Sequence, residues 1–182
     1  QLAAQALQTQ AIYLREILAQ YQSGKRDHLA YRVARRNAHN ADAALSNSDS
    51  AMLKEPLRVR GGAEVVANFL RLSHTQLNYL SALGAQRGGA AAQPMDEATQ
   101  ASAQALLQSL QDLSDELERA QREMGGRRRP VAQAPAVAEV LRQFGQPPPA
   151  VPAQSWMANQ LQLVGKVFPQ LREQARQMVE RG

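Results

Sequence analysis

Ala30-Tyr31-Arg32-Val33-Ala34-Arg35-Arg36-Asn37-Ala38-His39-Asn40-Ala41-Asp42-Ala43-Ala44-Leu45 is the stretch whose reading decides the fold. At ~100° per residue, Ala30, Val33, Ala34, Ala38, Ala41, Ala44 and Leu45 share one face of a helix. That face is built of small side chains, so a second helix can approach closely. Asn37 falls inside it and Asn40 at its edge, while Arg32, Arg36 and His39 point the other way. Arg35 and Asp42 flank the stripe.

A buried Asn needs partners, because an unpaired amide in a core costs about 1–3 kcal/mol. The third helix offers them: Ser73 and Gln76 lie within its apolar arc and His74 lies at its border. The reading this favours is a structural polar network fixing how the second and third helices meet. The alternative is a small-molecule pocket between those helices, lined by Asn37, His39, Asn40 and His74.

Working outward, Asp27 is the N-cap expected for this helix, which runs to about residues 46–50. A first helix over 2–22 carries Leu7, Leu14, Ile17, Leu18 and Tyr21 at helical spacing and stops at Ser23-Gly24. Glu55-Pro56 and Gly61-Gly62 punctuate a loop. A third helix over about 63–86 presents Val65, Val66, Phe69, Leu70, Leu72, Leu77, Leu80 and Leu83 over a wide arc, which predicts a central position. After Gly88-Gly89 and Pro94, Asp96 caps a fourth helix over 97–124. Its Ala103, Leu106, Leu110, Leu113, Leu117, Ala120 and Met124 follow a heptad seam. Such a seam packs against a neighbour in the same chain or in a second subunit.

Gly125 to Pro130 end that helix, and 130–152 form a Pro/Ala-rich connection with a short helix expected at 136–144 and an extended Pro147-Pro148-Pro149. A last helix runs from about Ala153 to the end, with Pro169 expected to kink or restart it. No segment alternates with period two. The fold class predicted is all-α, a bundle of about five to six helices without a sheet. Residues 1–87 form a three-helix segment, and 88–182 add the heptad helix, the linker and the last helix, packed with it as one domain.

Composition agrees. Ala, Leu, Gln, Arg and Glu dominate, and aromatic residues make up only 4% of the 182 residues. Those abundant side chains lose little rotamer freedom in a helix. There is no cysteine, which excludes disulfides and thiolate metal sites. The net charge of +5 suits an anionic partner or simply a solvated surface. No apolar run reaches the roughly 18 residues of a membrane span. The chain begins at Gln1 inside a helical pattern, without Met or leader, so a longer parent polypeptide is expected.

Chemistry finds little footing. His39 and Asp42 are spaced i, i+3 for a shared metal ion, but only His28, His39 and His74 exist and Arg35 and Arg36 would repel a cation. No nucleophile elbow or phosphate loop occurs. The acids of the fourth helix (Asp112, Asp115, Glu116, Glu118, Glu123) read as a solvated face. No catalytic residue, metal ligand or cofactor is assigned. Nucleic-acid binding through Arg32, Arg35, Arg36 and Arg127–Arg129 is disfavoured, because these arginines lack a helix-turn-helix context.

Tyr21-Gln22-Ser23-Gly24-Lys25-Arg26-Asp27, then the run from Ala30 to Ser46, resembles the YccS/YhfK family of bacterial inner-membrane proteins. That family lies in the FUSC superfamily of fusaric-acid-resistance and aromatic-acid-exporter-like proteins. Met52, Glu55-Pro56, Leu72-Ser73-His74-Thr75 and Tyr79 to Ala85 continue the match, which covers roughly residues 10–87. Beyond residue 87 the likeness is only that of helices. The resemblance implies a soluble region on the cytoplasmic side of the inner membrane, following the second of two transmembrane bundles. Tyr31, Arg32, Arg35, Arg36, Asn37, His39, Asn40, Asp42, Ser73 and His74 are then its signature residues. The basic balance fits that side. Expected partners are the membrane-embedded part of the same polypeptide, a second copy through the heptad helix, and anionic lipid headgroups near Lys25, Arg26, Arg35 and Arg36. Transport chemistry would lie in the membrane part, leaving this region an assembly, oligomerisation or regulatory role.

Overall fold

The computed structural model describes residues 2–23, 28–52, 60–86, 95–124 and 152–181. Five helices account for nearly all of them: α1 (Leu2–Ser23), α2 (His28–Met52), α3 (Arg60–Ala85), α4 (Glu97–Met124) and α5 (Pro152–Arg181). No strand occurs among the described residues. The fold is the all-α bundle that the sequence predicts. The expected Asp27 cap, the Glu55-Pro56 loop, the 136–144 helix and the Pro147–Pro149 stretch lie outside the described residues.

Helix ends follow local chemistry. Asp96 caps α4: its Oδ1 accepts the Thr99 backbone N–H at 2.6 Å, and its carbonyl accepts that of Gln100 at 2.9 Å. Pro152 opens α5, a position where the missing N–H is no loss. One boundary differs from expectation. Gly61 and Gly62 lie inside the first turn of α3 rather than in the loop before it. First-turn N–H groups have no intrahelical acceptor in any case, so glycine there weakens the helix least. Pro169 lies inside α5, which neither stops nor restarts there.

The helices close into a ring. α1 packs on α2, α2 on α3, α3 on α5, α5 on α4 and α4 back on α1, with α1 and α3 also touching across the middle. The α3–α5 and α1–α2 interfaces are the most extensive. α3 is central as its wide apolar arc predicts, but α1 shares the centre. Ala3, Ala4, Ala6, Leu7, Ala11, Leu14, Ile17 and Leu18 are all buried, and they meet three neighbouring helices. Alanine lets the helices approach, while Leu7, Leu14, Phe69, Leu77, Leu80, Leu110, Leu161 and Leu171 fill the space between them.

The heptad seam of α4 is taken up within the chain. Ala103, Leu106, Leu110, Leu113, Leu117 and Ala120 are buried against α1 and α5. Ser114 adds a polar tie from the same side, donating to the Ala4 carbonyl of α1 at 3.0 Å.

Candidate functional site

Of the polar side chains that sequence singles out, Tyr31, His39, Asp42, Ser73 and His74 meet partners along the line where α1, α2 and α3 join. At one end lies a tyrosine pair. Tyr13 of α1 and Tyr31 of α2 share a hydroxyl–hydroxyl hydrogen bond of 3.0 Å, with ring centroids 5.5 Å apart and planes tilted by 53°. Gly84 of α3 passes directly over them. A Cβ there would sit 2.6 Å from the Tyr31 hydroxyl and 3.1 Å from both the Tyr13 hydroxyl and Tyr31 Cε2. Glycine is therefore what lets α3 approach the pair. Burial raises the Tyr13 pKa above its ordinary value, and the Tyr31 hydrogen bond adds to the effect; Ser81 and Arg35 oppose it. Tyr13 thus stays a protonated phenol. Tyr21 donates to the Leu83 carbonyl at 2.8 Å, one residue from Gly84.

At the centre lies an amide cluster. Gln10 of α1 is fully buried, and its Nε2 donates to the Ser73 carbonyl at 3.1 Å and the Ser73 hydroxyl at 2.9 Å. Gln76 Nε2 donates to Gln10 Oε1 at 2.8 Å. The Gln76 Oε1 atom is buried without a hydrogen-bond partner among the described residues.

On the outer side α2 and α3 are joined by two imidazoles. His74 Nδ1 lies 2.7 Å from Asp42 Oδ2. The Asp42 side chain is only 9% exposed, whereas that of His74 is 58% exposed. Asp42 Oδ1 is buried without a hydrogen-bond partner among the described residues. His39 Nε2 lies 3.3 Å from the Ser81 hydroxyl. Partial burial lowers the His39 pKa, the Arg35 charge lowers it further, Asp42 opposes, and His74 adds a small effect in the same direction as Arg35. His39 is therefore the neutral imidazole at neutral pH.

This arrangement ties the helices together. A serine nucleophile needs one imidazole oriented by a carboxylate. Here Ser81 meets His39 while the carboxylate of Asp42 bonds the other imidazole, His74. Tyr13 is held in its weakly nucleophilic phenol form. Among the described residues no group of three His, Asp or Glu side chains could hold a metal ion.

Several predicted positions move. Asn37, expected inside the apolar face, is exposed; so are Val33 and Ala44 of that face. Asp42, expected at its flank, is buried, and Tyr31 is buried beside it. The buried arc is Tyr31, Ala34, Ala38, Ala41, Asp42 and Leu45, turned by roughly 60° from the stripe that hydrophobicity alone selects. The cause is specific partners: Tyr13 and the Gly84 gap take Tyr31, and His74 takes Asp42. His39, expected to point outward, is half-buried on Ser81. Arg32, Arg35, Arg36 and Asn40 are exposed. Ser73 is buried as expected, but it bonds Gln10 rather than Asn37.

Asn37, Asn40 and His74 are all exposed. A groove of about 610 Å³ lies elsewhere, between α1 and α4, lined by Gln5, Gln8, Glu118, Gln121 and Arg122. Gln10, Tyr13, Ser81 and Gly84 escape the sequence reading. Gln10 offers the one usable signal, a polar residue within the apolar arc of the first helix.

Part of this chain is similar to known proteins. Inner membrane protein YccS of Escherichia coli K12 is 48% identical over 75 residues, 41% of this chain and 10% of that protein. An uncharacterized protein of Haemophilus influenzae is 47% identical over 83 residues, 46% of this chain and 12% of that protein. The matched stretch thus spans about a tenth of the length of either curated relative. No family model matches the chain, and no solved structure matches it. No helix among the described residues is long and apolar enough to cross a membrane.

Proposed function

We propose that this chain is an extramembrane domain of a YccS-like inner-membrane protein of the FUSC superfamily. It faces the cytoplasm and serves assembly or regulation of a membrane-embedded exporter. The observation that carries the reading is the 48% identity over 41% of the chain to an inner-membrane protein. The site geometry supports it. The polar residues at the α1–α2–α3 junction are mostly spent on one another, as interhelical ties rather than as a reaction centre. The domain performs no chemistry of its own, and solute recognition belongs to the membrane part.

Removal of this region from the full-length parent tests the role. Loss of correct membrane assembly, or of resistance to exported solutes, is the expected result. A parent protein that assembles and exports normally without the region would sink the proposal. Sidedness is tested separately. The chain has no cysteine, so a single cysteine at exposed Gln104 of the full-length protein, with other cysteines removed, can be challenged by a membrane-impermeant maleimide. Labelling only after the inner membrane is opened is expected, and labelling from the periplasmic side of intact spheroplasts would refute a cytoplasmic location.

A further inference from the structure

The outward face of α2 carries exposed side chains of mixed character. Leu29, Arg32, Val33 and Arg36 are spaced i, i+3, i+4 and i+7, so they form one stripe over two turns. Leu29 is 71% exposed and Val33 42% exposed, the large hydrophobics left open among the described residues. Arg32 and Arg36 lie beside them, and Arg35 lies on the border toward α3, all exposed. None of the three arginines joins an ion pair among the described residues, whereas Arg122 and Arg176 pair with glutamates on their own helices.

A helix face that needs only solvation carries polar side chains at such positions. Apolar side chains interleaved with unpaired arginines meet the requirements of an anionic bilayer surface. Aliphatic side chains enter the headgroup–acyl boundary while guanidinium groups take phosphate oxygens. A second copy of the chain fits less well, because a two-fold contact through this face would set arginines against arginines. A nucleic acid would satisfy the arginines but leave Leu29 without an apolar host.

We infer that the Leu29–Arg32–Val33–Arg36 face of α2 is a contact surface for anionic membrane lipid. The inference takes its setting from the membrane association proposed above, yet it is read on this chain alone, so vesicle binding and the effect of deleting the region fail independently. Flotation of the 182-residue chain with phosphatidylethanolamine/phosphatidylglycerol vesicles, and with phosphatidylcholine vesicles, tests it. Binding to the anionic vesicles alone is expected, released at about 1 M salt where the screening length falls to roughly 3 Å. The double variant R32Q/R36Q should weaken partitioning about 25-fold, from about five-fold per arginine. L29S/V33S should weaken it by at least about five-fold. R119Q/R122Q on α4 should leave it unchanged, and circular dichroism should show all three variants folded. Equal binding to phosphatidylcholine, no binding to either vesicle, equal losses from the α2 and α4 arginine pairs, or no effect of L29S/V33S would each overturn the inference. So would a concentration-dependent dimer abolished by L29S/V33S in the absence of lipid, or displacement from vesicles by a short DNA duplex but not by soluble phosphatidylglycerol.

Discussion

Gly84 is the residue on which the α1–α2–α3 junction turns. Its Cα faces two tyrosine hydroxyls, and the Tyr31 ring is itself buried and cannot swing aside. Gly84→Ala should destabilise the protein by about 1–3 kcal/mol, as overpacking does, measured by urea unfolding. Tyr31→Phe removes the atom nearest the new methyl, so Y31F/G84A should be less destabilised than the sum of its parts. Additive losses would show that the close approach is unimportant. His39 carries the pH dependence at this scale. Its folded-state pKa lies below the ordinary 6.5, so the unfolded chain binds the proton first as pH falls. The benefit of keeping His39 neutral is full above pH 6.5 and is eroded as pH drops through that value. The groups facing it are Arg35, Asp42 and His74. Replacing His39 with Gln, which keeps a polar group toward Ser81, should flatten the decline of melting temperature between neutral and mildly acidic pH. An unchanged slope would assign that decline elsewhere. Neither residue announces these roles in sequence. Gly84 falls inside the third helix expected over about 63–86, where nothing local marks a close approach, and the burial of His39 depends on where α3 lies.

Helix positions and ends are legible wherever a local rule decides them: the Asp96 cap, the α4 seam and the arrest of α1 at Ser23 all follow from neighbours in sequence. The rotation of α2 is not, because an apolar-face count treats Tyr31 and Asp42 as outsiders and Val33 and Ala44 as insiders. Packing against α1 and α3 reverses all four. The Gln10–Ser73–Gln76 cluster has the same origin, since its members are 63 and 66 residues apart. Gln10→Leu should cost about 1–3 kcal/mol by stranding the Gln76 amide and the Ser73 groups. Q10L/Q76L should cost less than the two single changes together, because neither glutamine then strands the other. α5 offers a prediction of opposite sign. Pro169 removes one hydrogen bond from a helix that continues past it. Pro169→Ala should therefore raise stability by about 1 kcal/mol or more, read as a higher melting temperature, and a lower one would show that the proline shapes the contact of α5 with α3.

The five described helices touch one another around a closed ring. Leu110 of α4 is fully buried against the seam formed with α1 and α5, and Leu110→Ala should lower stability by about 2–5 kcal/mol. A closed ring predicts that this loss appears as one earlier transition, coincident by circular dichroism and by Trp156 fluorescence on α5. Separate melting of α4 and α5 would show two weakly joined parts. The ring also has a temporal side. Helices α1, α2 and α3 leave the ribosome first, and they can already form the tyrosine pair, the amide cluster and the Asp42–His74 bond. The side of α1 that receives Leu110, and the side of α3 that receives Leu161 and Leu171, remain bare until α4 and α5 follow. The nascent chain thus exposes two greasy flanks for as long as translation takes to traverse its second half, and a chaperone that shields them has a defined window in which to act.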